Sequence, residues 1–202
     1  MHIAVIGSGI SGLVCSYLLS EEHPVTVYEA NDYIGGHTHT IDVPLAGRTY
    51  AVDTGFIVFN ENTYPNFIKL MQRLGVAAQP SSMSFSVQCQ KTGLFFCPST
   101  LNTMFAQRKN LLRPAFYRML NEALRFRREA SELITSDDYR ITLQEYLEDK
   151  NYSTFFIENF IIPMGGAIWS ADPAMMYRFP ARYFVEFFNN HGMLSVRNRP
   201  QW

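Results

Sequence analysis

The chain has 202 residues, 47% of them hydrophobic, with a formal net charge of −1, enough to bury a sizeable core and unlike a disordered segment. Near-neutral charge gives no electrostatic reason to expect a nucleic-acid partner. No apolar run is long enough to span a bilayer, since the stretch 155–169 is interrupted by Glu158 and Asn159. The first strand begins at His2, which leaves no room for a signal peptide, so a cytoplasmic protein is expected. Cys15, Cys89 and Cys97 cannot all pair and lack metal-ligand spacing, so reduced thiols are expected.

Met1-His2-Ile3-Ala4-Val5-Ile6 reads as a buried strand running straight into Gly7-Ser8-Gly9-Ile10-Ser11-Gly12. Strand, G-x-G-x-x-G and helix, in that order, form a dinucleotide fingerprint in its required context. Gly7 allows the tight turn, Gly9 lets the backbone approach a pyrophosphate, and Gly12 lets the helix sit close to the sheet. The pyrophosphate is expected at the free N–H groups of the helix that starts near Ile10. After the apolar positions Leu13, Val14, Tyr17 and Leu18, the turn Glu21-Glu22-His23-Pro24 leads to a second strand, Val25-Thr26-Val27-Tyr28, which ends in Glu29. A carboxylate there can accept both ribose hydroxyls and repel a 2′-phosphate, which disfavours NADP.

A second glycine turn follows, Gly35-Gly36-His37-Thr38-His39-Thr40, and then Asp53-Thr54-Gly55-Phe56-Ile57-Val58-Phe59-Asn60. In these segments the chain resembles the FAD-binding superfamily of flavin amine oxidases, phytoene desaturases and protoporphyrinogen oxidases, whose extended pattern is G-x-G-x-x-G, then Glu, then Gly-Gly-Arg. His37 stands where that pattern has arginine. It resembles most the bacterial flavin amine oxidase-like group with a Gly-Gly-His-Thr turn, in which 53–60 would correspond to a segment beside the flavin. The residues expected to touch FAD are Gly7, Ser8, Gly9, Ile10, Ser11, Gly12, Glu29, Ala30, Gly35, Gly36, His37, Thr38, Gly55, Phe56 and Ile57, with the N–H groups of Gly36 and Thr38 and the Thr38 hydroxyl as donors. No metal is expected: His37 and His39 have no cysteine or carboxylate at ligand spacing.

Beyond residue 60, the pattern at 63–74 predicts a helix with Phe67, Leu70, Met71 and Leu74 on one face and Gly75 as its stop. Alternation at 84–89, the turn Lys91-Thr92-Gly93 and the return 94–97 predict a hairpin. Pro114 opens a predicted helix to about 134, with Phe116, Leu120, Ala123, Ala130 and Leu133 inward. Further helices are predicted at about 143–150 and 182–190. Arg108, Lys109, Arg113, Arg118, Arg125, Arg127 and Arg128 crowd one stretch opposed only by Glu122. A solvated helix face is the favoured reading of that stretch, with contact to an anionic membrane surface the other.

The last quarter is rich in aromatics around Pro163-Met164-Gly165-Gly166-Ala167-Ile168-Trp169-Ser170. Most are expected in the core, while Gly165-Gly166 would allow close backbone approach to the flavin and Met164, Trp169 and Tyr177 are the candidate substrate-lining residues. This segment and His191-Gly192-Met193-Leu194 carry the same resemblance to the end of the chain. In the superfamily the sequence then returns to the nucleotide domain, whereas here it closes on Arg199-Pro200-Gln201-Trp202, so an N-terminal part is favoured over a natural short form.

The expected architecture is α/β: a Rossmann-like FAD-binding domain over 1–76 and an inserted, mostly helical α+β substrate domain over 77–202, incomplete as it stands. The expected function is FAD-dependent transfer of a hydride from an amine or an apolar C–H substrate. No catalytic acid or base is identified, and no hydrolytic set stands at credible spacing. An NAD-dependent dehydrogenase and a non-catalytic dinucleotide-binding module remain the alternatives.

Overall fold

Strand β1 (Ile3–Ile6), helix α1 (Ile10–Leu19) and strand β2 (Val25–Tyr28) open the chain as a βαβ unit, with β1 and β2 parallel and Ile3 opposite Val25 through Ile6 opposite Tyr28. The computed structural model describes residues 1–81, 84–135 and 138–194. Its contacts divide the chain into two units, Met1–Val58 and a second that begins at Phe59. The closing run Arg199-Pro200-Gln201-Trp202 lies outside the described residues.

In the first unit α1 covers the face of β1 that carries Val5, whose side chain meets the Gly12 position. Successive side chains alternate across a strand, so Ala4 and Ile6 point the other way, and Ile6 is 80% exposed. This corrects the expectation of a fully buried β1: a single helix covers only one face. Strands β3 (Thr40–Leu45) and β4 (Arg48–Asp53) form an antiparallel hairpin whose turn residues, Ala46 and Gly47, both have positive φ, the condition that a tight primed turn imposes.

The second unit opens on the Asn60 side chain, which accepts from the N–H groups of Asn62 and Thr63 and turns the chain toward α2 (Pro65–Leu74). Proline occupies the first helical turn and Gly75, at φ +66°, caps the end, so the helix starts slightly later than periodicity suggested. In contact terms α2 clusters with the second unit, whereas the sequence grouped it with the first.

Strands β5 (Val87–Cys89) and β6 (Leu94–Phe96) form the expected hairpin in shorter form. Helix α3 (Leu101–Met104) and a 3-10 turn (Arg108–Leu112) lead to α4 (Pro114–Glu129). The single helix expected from Pro114 breaks at Ala130, after which α5 (Ser131–Thr135) follows. Its inner face is carried by Phe116, Met119, Glu122 and Phe126, while Leu120 and Ala123 are only half-buried. Buried Glu122 accepts from the Ser153 N–H at 3.0 Å, from the Ser153 hydroxyl and from Arg118 Nε at 3.2 Å, which fastens α4 to the start of α7.

Helix α6 (Leu143–Asp149) is opened by reciprocal capping between Thr142 and Glu145. Helix α7 (Thr154–Phe156), a π turn (Ile157–Ile161) and α8 (Ile162–Trp169) then run on end to end. The sequence reading expects a mostly helical domain but bounds no helix at 154–169, and assigns Gly165-Gly166 to close approach to the flavin. The π turn is the irregularity that accommodates Pro163, a residue with no N–H to give. Helices α9 (Pro173–Tyr177) and α10 (Ala181–Asn190) complete the described elements.

The large, fully buried side chains of the described residues all belong to the second unit. Phe156 stacks between Tyr152 at 5.2 Å and Phe160 at 5.5 Å, and Phe184 stacks on Phe188 at 4.2 Å. Truncating a ring so enclosed leaves a cavity. Phe156→Ala is therefore expected to destabilise the unit by about 3–5 kcal/mol, read as a lower denaturant midpoint; an unchanged midpoint would contradict this packing.

Candidate functional site

The first unit brings three loops together at the carboxyl ends of β1 and β2. Gly7 leaves β1 with φ +92° and donates to the Tyr28 carbonyl at 2.7 Å, which ties the two strand ends. Gly35 donates to the Ser8 carbonyl at 3.1 Å, and Gly9 and Gly35 form a parallel bridge. A Cβ on Gly36 would lie 2.9 Å from the Gly9 Cα, so the second glycine turn packs directly on the first. A Cβ on Gly55 would collide with the His37 carbonyl at 1.7 Å, and Thr54 donates to the His39 carbonyl through both its N–H and its hydroxyl. Segments 7–12, 35–38 and 54–55 are thus one assembly.

The glycines of the fingerprint have different physical reasons. At Gly12 a Cβ would stand 2.0 Å from the Gly7 carbonyl oxygen, so only glycine lets α1 approach. At Gly9 the backbone is extended, with φ −67° and ψ 175°, and a Cβ would meet nothing within 4 Å. Neither packing nor backbone strain requires glycine there, and the open space lies at the start of α1. That helix has no side-chain cap and no acidic residue in its first turn, so its positive end is left for an anion.

Glu29 is the electrostatic centre. One carboxylate oxygen accepts from the Ser8 N–H at 2.7 Å and the Ser8 hydroxyl at 2.5 Å; the other accepts from the N–H groups of Ala30 at 2.8 Å and Asn31 at 2.9 Å. The hydrogen bond from the Ser8 hydroxyl, then those from the Asn31 and Ser8 N–H groups, hold its pKa down at about 2, below its ordinary 4.5. With two donors on each oxygen the carboxylate is already saturated. Of these four donors the Ser8 hydroxyl is the one that can rotate away. Sequence reasoning saw Glu29 as a bare acceptor and missed Asn31; an acid immediately before a turn is the signal that pointed to such N–H groups.

One expected donor is already engaged. The Thr38 N–H is used by the Gly35 carbonyl at 3.1 Å, so it is spent within the turn. His37 is exposed, while the neighbouring His39 ring lies 4.4 Å from that of Tyr33. Ile10 and Ile57 are exposed, and Phe56 is half-buried beside Gly55.

The candidate substrate residues lie in the second unit and do not share a surface. Met164 lines a cavity of about 680 Å³ with Phe85, Leu120, Phe160 and Phe188, and with Arg127 and His191 as polar members. Sequence reasoning did not single out those two for this role. Arg127 Nε donates to the Leu194 carbonyl at 3.2 Å, and His191 Nδ1 lies 2.8 Å from the Phe187 carbonyl. Trp169 packs instead among Phe179, Phe184 and Phe187, and Tyr177 lies outside the cavity lining. A Cβ on Gly165 would meet Met176 at 2.6 Å and Phe184 at 3.0 Å, and one on Gly166 would meet the Ala171 carbonyl at 3.0 Å. Those glycines serve helix packing, in contrast to the expected approach to a cofactor. No group of three His, Cys, Asp or Glu is placed to hold a metal among the described residues, and no helix there is long and apolar enough to cross a membrane.

Because the folded value is depressed, the stabilising contribution of ionised Glu29 is complete above 4.5 and is lost as pH falls toward about 2. Carboxyl NMR titration of Glu29 is expected to give a midpoint near 2, and Ser8→Ala to move it upward. A midpoint at the ordinary value in the unmodified protein would contradict the four-donor arrangement.

The profile of the flavin-containing amine oxidoreductases matches residues 10–194. No curated protein matches the chain. Among solved structures, wild-type putrescine oxidase bound to putrescine is similar, with 18% identity and a TM-score of 0.59, covering 96% of this chain and 43% of that one. A double mutant of putrescine oxidase gives 16%, 0.62, 99% and 45% for the same quantities. An oxidoreductase from Methanosarcina mazei gives 16%, 0.53, 94% and 43%. At such identities the likeness concerns the fold, Rossmann-like at its βαβ opening, and the chain spans less than half the length of these relatives. The family match covers most of the chain, from the last residues of the glycine fingerprint through the helical unit, and on that ground the chain belongs to the flavin-containing amine oxidoreductases, a family of FAD-dependent oxidoreductases.

Proposed function

We propose that the protein is an FAD-dependent oxidoreductase in which the first unit holds the ADP end of the cofactor and residues 77–202 belong to an inserted substrate domain. The open Cβ space at Gly9, at the uncapped start of α1, carries this reading. A glycine that the fold itself does not need, set against a helix N-terminus, suits close approach of a pyrophosphate.

The other residues fit the same group. Gly7 sets the turn, Ser8, Ile10, Ser11 and Gly12 surround the phosphate position, and Glu29 with Ala30 stands at the ribose. Gly35, Gly36, His37, Thr38, Gly55, Phe56 and Ile57 continue the wall toward the flavin. A bound flavin supplies a two-electron acceptor for a hydride from an amine or apolar C–H bond. The chain's own part is to bind and orient that group and to exclude water. For the substrate, the cavity beside Met164 offers a mostly apolar lining, and a small-molecule amine or apolar compound is the class proposed.

Paired substitutions separate binding from folding. Gly9→Ala in the full-length protein is expected to keep the far-UV spectrum and an unfolding free energy within ~0.5 kcal/mol of wild type, as for a change without steric conflict, and to lose the yellow flavin absorbance on purification. Gly12→Ala is expected to destabilise the fold itself. Undiminished FAD retention by a folded Gly9→Ala protein would contradict the assignment, as would an unmodified protein that takes up no added FAD.

A further inference from the structure

The surface built by residues 101–118 is apolar and basic at once. Leu101 and Leu112 are 81% and 89% exposed, and Leu111 and Tyr117 are also exposed. A rigid framework presents them. The Gln107 side chain accepts from the Phe95 N–H and donates to the Gly93 carbonyl, pinning the segment to the β5–β6 hairpin. Arg108 donates to the Phe105 carbonyl and to Asn102, the Tyr117 hydroxyl donates to the Leu111 carbonyl, and the Phe105 and Tyr117 rings lie 5.7 Å apart. These bonds tie residues 101–118 to one another and to the hairpin.

Its charge is as one-sided as its hydrophobicity. Residues 101–121 contain Arg108, Lys109, Arg113 and Arg118 and no Asp or Glu; Arg118 pairs with Glu122 and half-buried Arg113 lies over the Phe155 ring, so Arg108 and Lys109 are the exposed cations outside that ion pair. Farther along the basic stretch, Arg125 lies over Tyr152 and donates to the Lys150 carbonyl, and Arg127 donates to the Leu194 carbonyl. We propose that the 101–118 surface docks the protein on an anionic lipid bilayer, with Leu111 and Leu112 entering the headgroup boundary and the cations meeting lipid phosphates and carboxylates.

Exposed leucines set among cations match an interfacial anchor, in which apolar insertion and electrostatic attraction act together. Docking of a second copy through the same patch would oppose like charges, which favours the bilayer as occupant. Leu101 and the exposed Leu124 also line the 680 Å³ cavity, so that cavity borders the proposed docking surface.

The test is cosedimentation of the full-length protein with phosphatidylcholine vesicles containing roughly one-third phosphatidylserine, against phosphatidylcholine alone. Binding is expected only with phosphatidylserine, weakened at least ~tenfold by Lys109→Glu or by Leu112→Glu and lost at ~0.5 M salt. The control Arg48→Gln/Lys69→Gln is expected to bind as wild type. Leu112 is so exposed that its substitution leaves the fold intact, which a thermal melt checks. Absence of binding, or binding that Lys109→Glu and Leu112→Glu leave unchanged, overturns the proposal. So does a concentration-dependent rise in molecular mass that Leu112→Glu abolishes, which would make a second copy the occupant. Vesicle binding needs no flavin, so this result stands or falls apart from the FAD reading.

Discussion

Glu29 is the point at which the first unit is tied together. Its carboxylate takes two donors from Ser8, in the turn after β1, and two from the turn after β2. The two strand ends are thereby joined by an ionised group as well as by the Gly7–Tyr28 backbone bond. Four donors on one carboxylate explain why its proton affinity falls so far, and they keep Ser8 buried in an otherwise open unit. The same Ser8 carbonyl receives Gly35, so the position of the second glycine turn depends on the loop that Glu29 holds.

Around that anchor the chain uses one residue type for several purposes. Gly7 and Gly36 supply backbone conformations of positive φ. Gly12 and Gly55 admit close backbone approach within the chain. Gly9 answers neither demand. A pattern of glycines is weak evidence for a nucleotide. The same glycines, sorted by what a Cβ would meet, separate those that the fold needs from the one that it does not.

Legibility in the sequence followed locality. The βαβ opening, the hairpin turn at Gly93, the stop at Gly75 and the helix at 181–190 were readable, because each is set by neighbouring residues and by periodicity. Several features depend on contacts distant in sequence and were not. The break at Ala130, the burial of Glu122 under Ser153 and the π turn before Pro163 belong to that class. Gly165-Gly166 misled for the same reason: the partners that demand small residues are Met176, Phe184 and Ala171. Of the three candidate substrate residues only Met164 reaches the cavity, since Trp169 is held among phenylalanines that sequence spacing does not reveal.

On the proposed reading, the loops at the ends of β1 and β2 are already assembled to receive the ADP part of a dinucleotide. Amide chemical-shift mapping of the full-length protein during titration with ADP tests it most directly. The account predicts saturable shifts concentrated at Ser8 to Gly12, Glu29 to Asn31 and Gly35 to Gly36, with little change in the helical unit. No saturable shifts, or shifts centred on the helical unit while residues 8–12 stay unmoved, would contradict it.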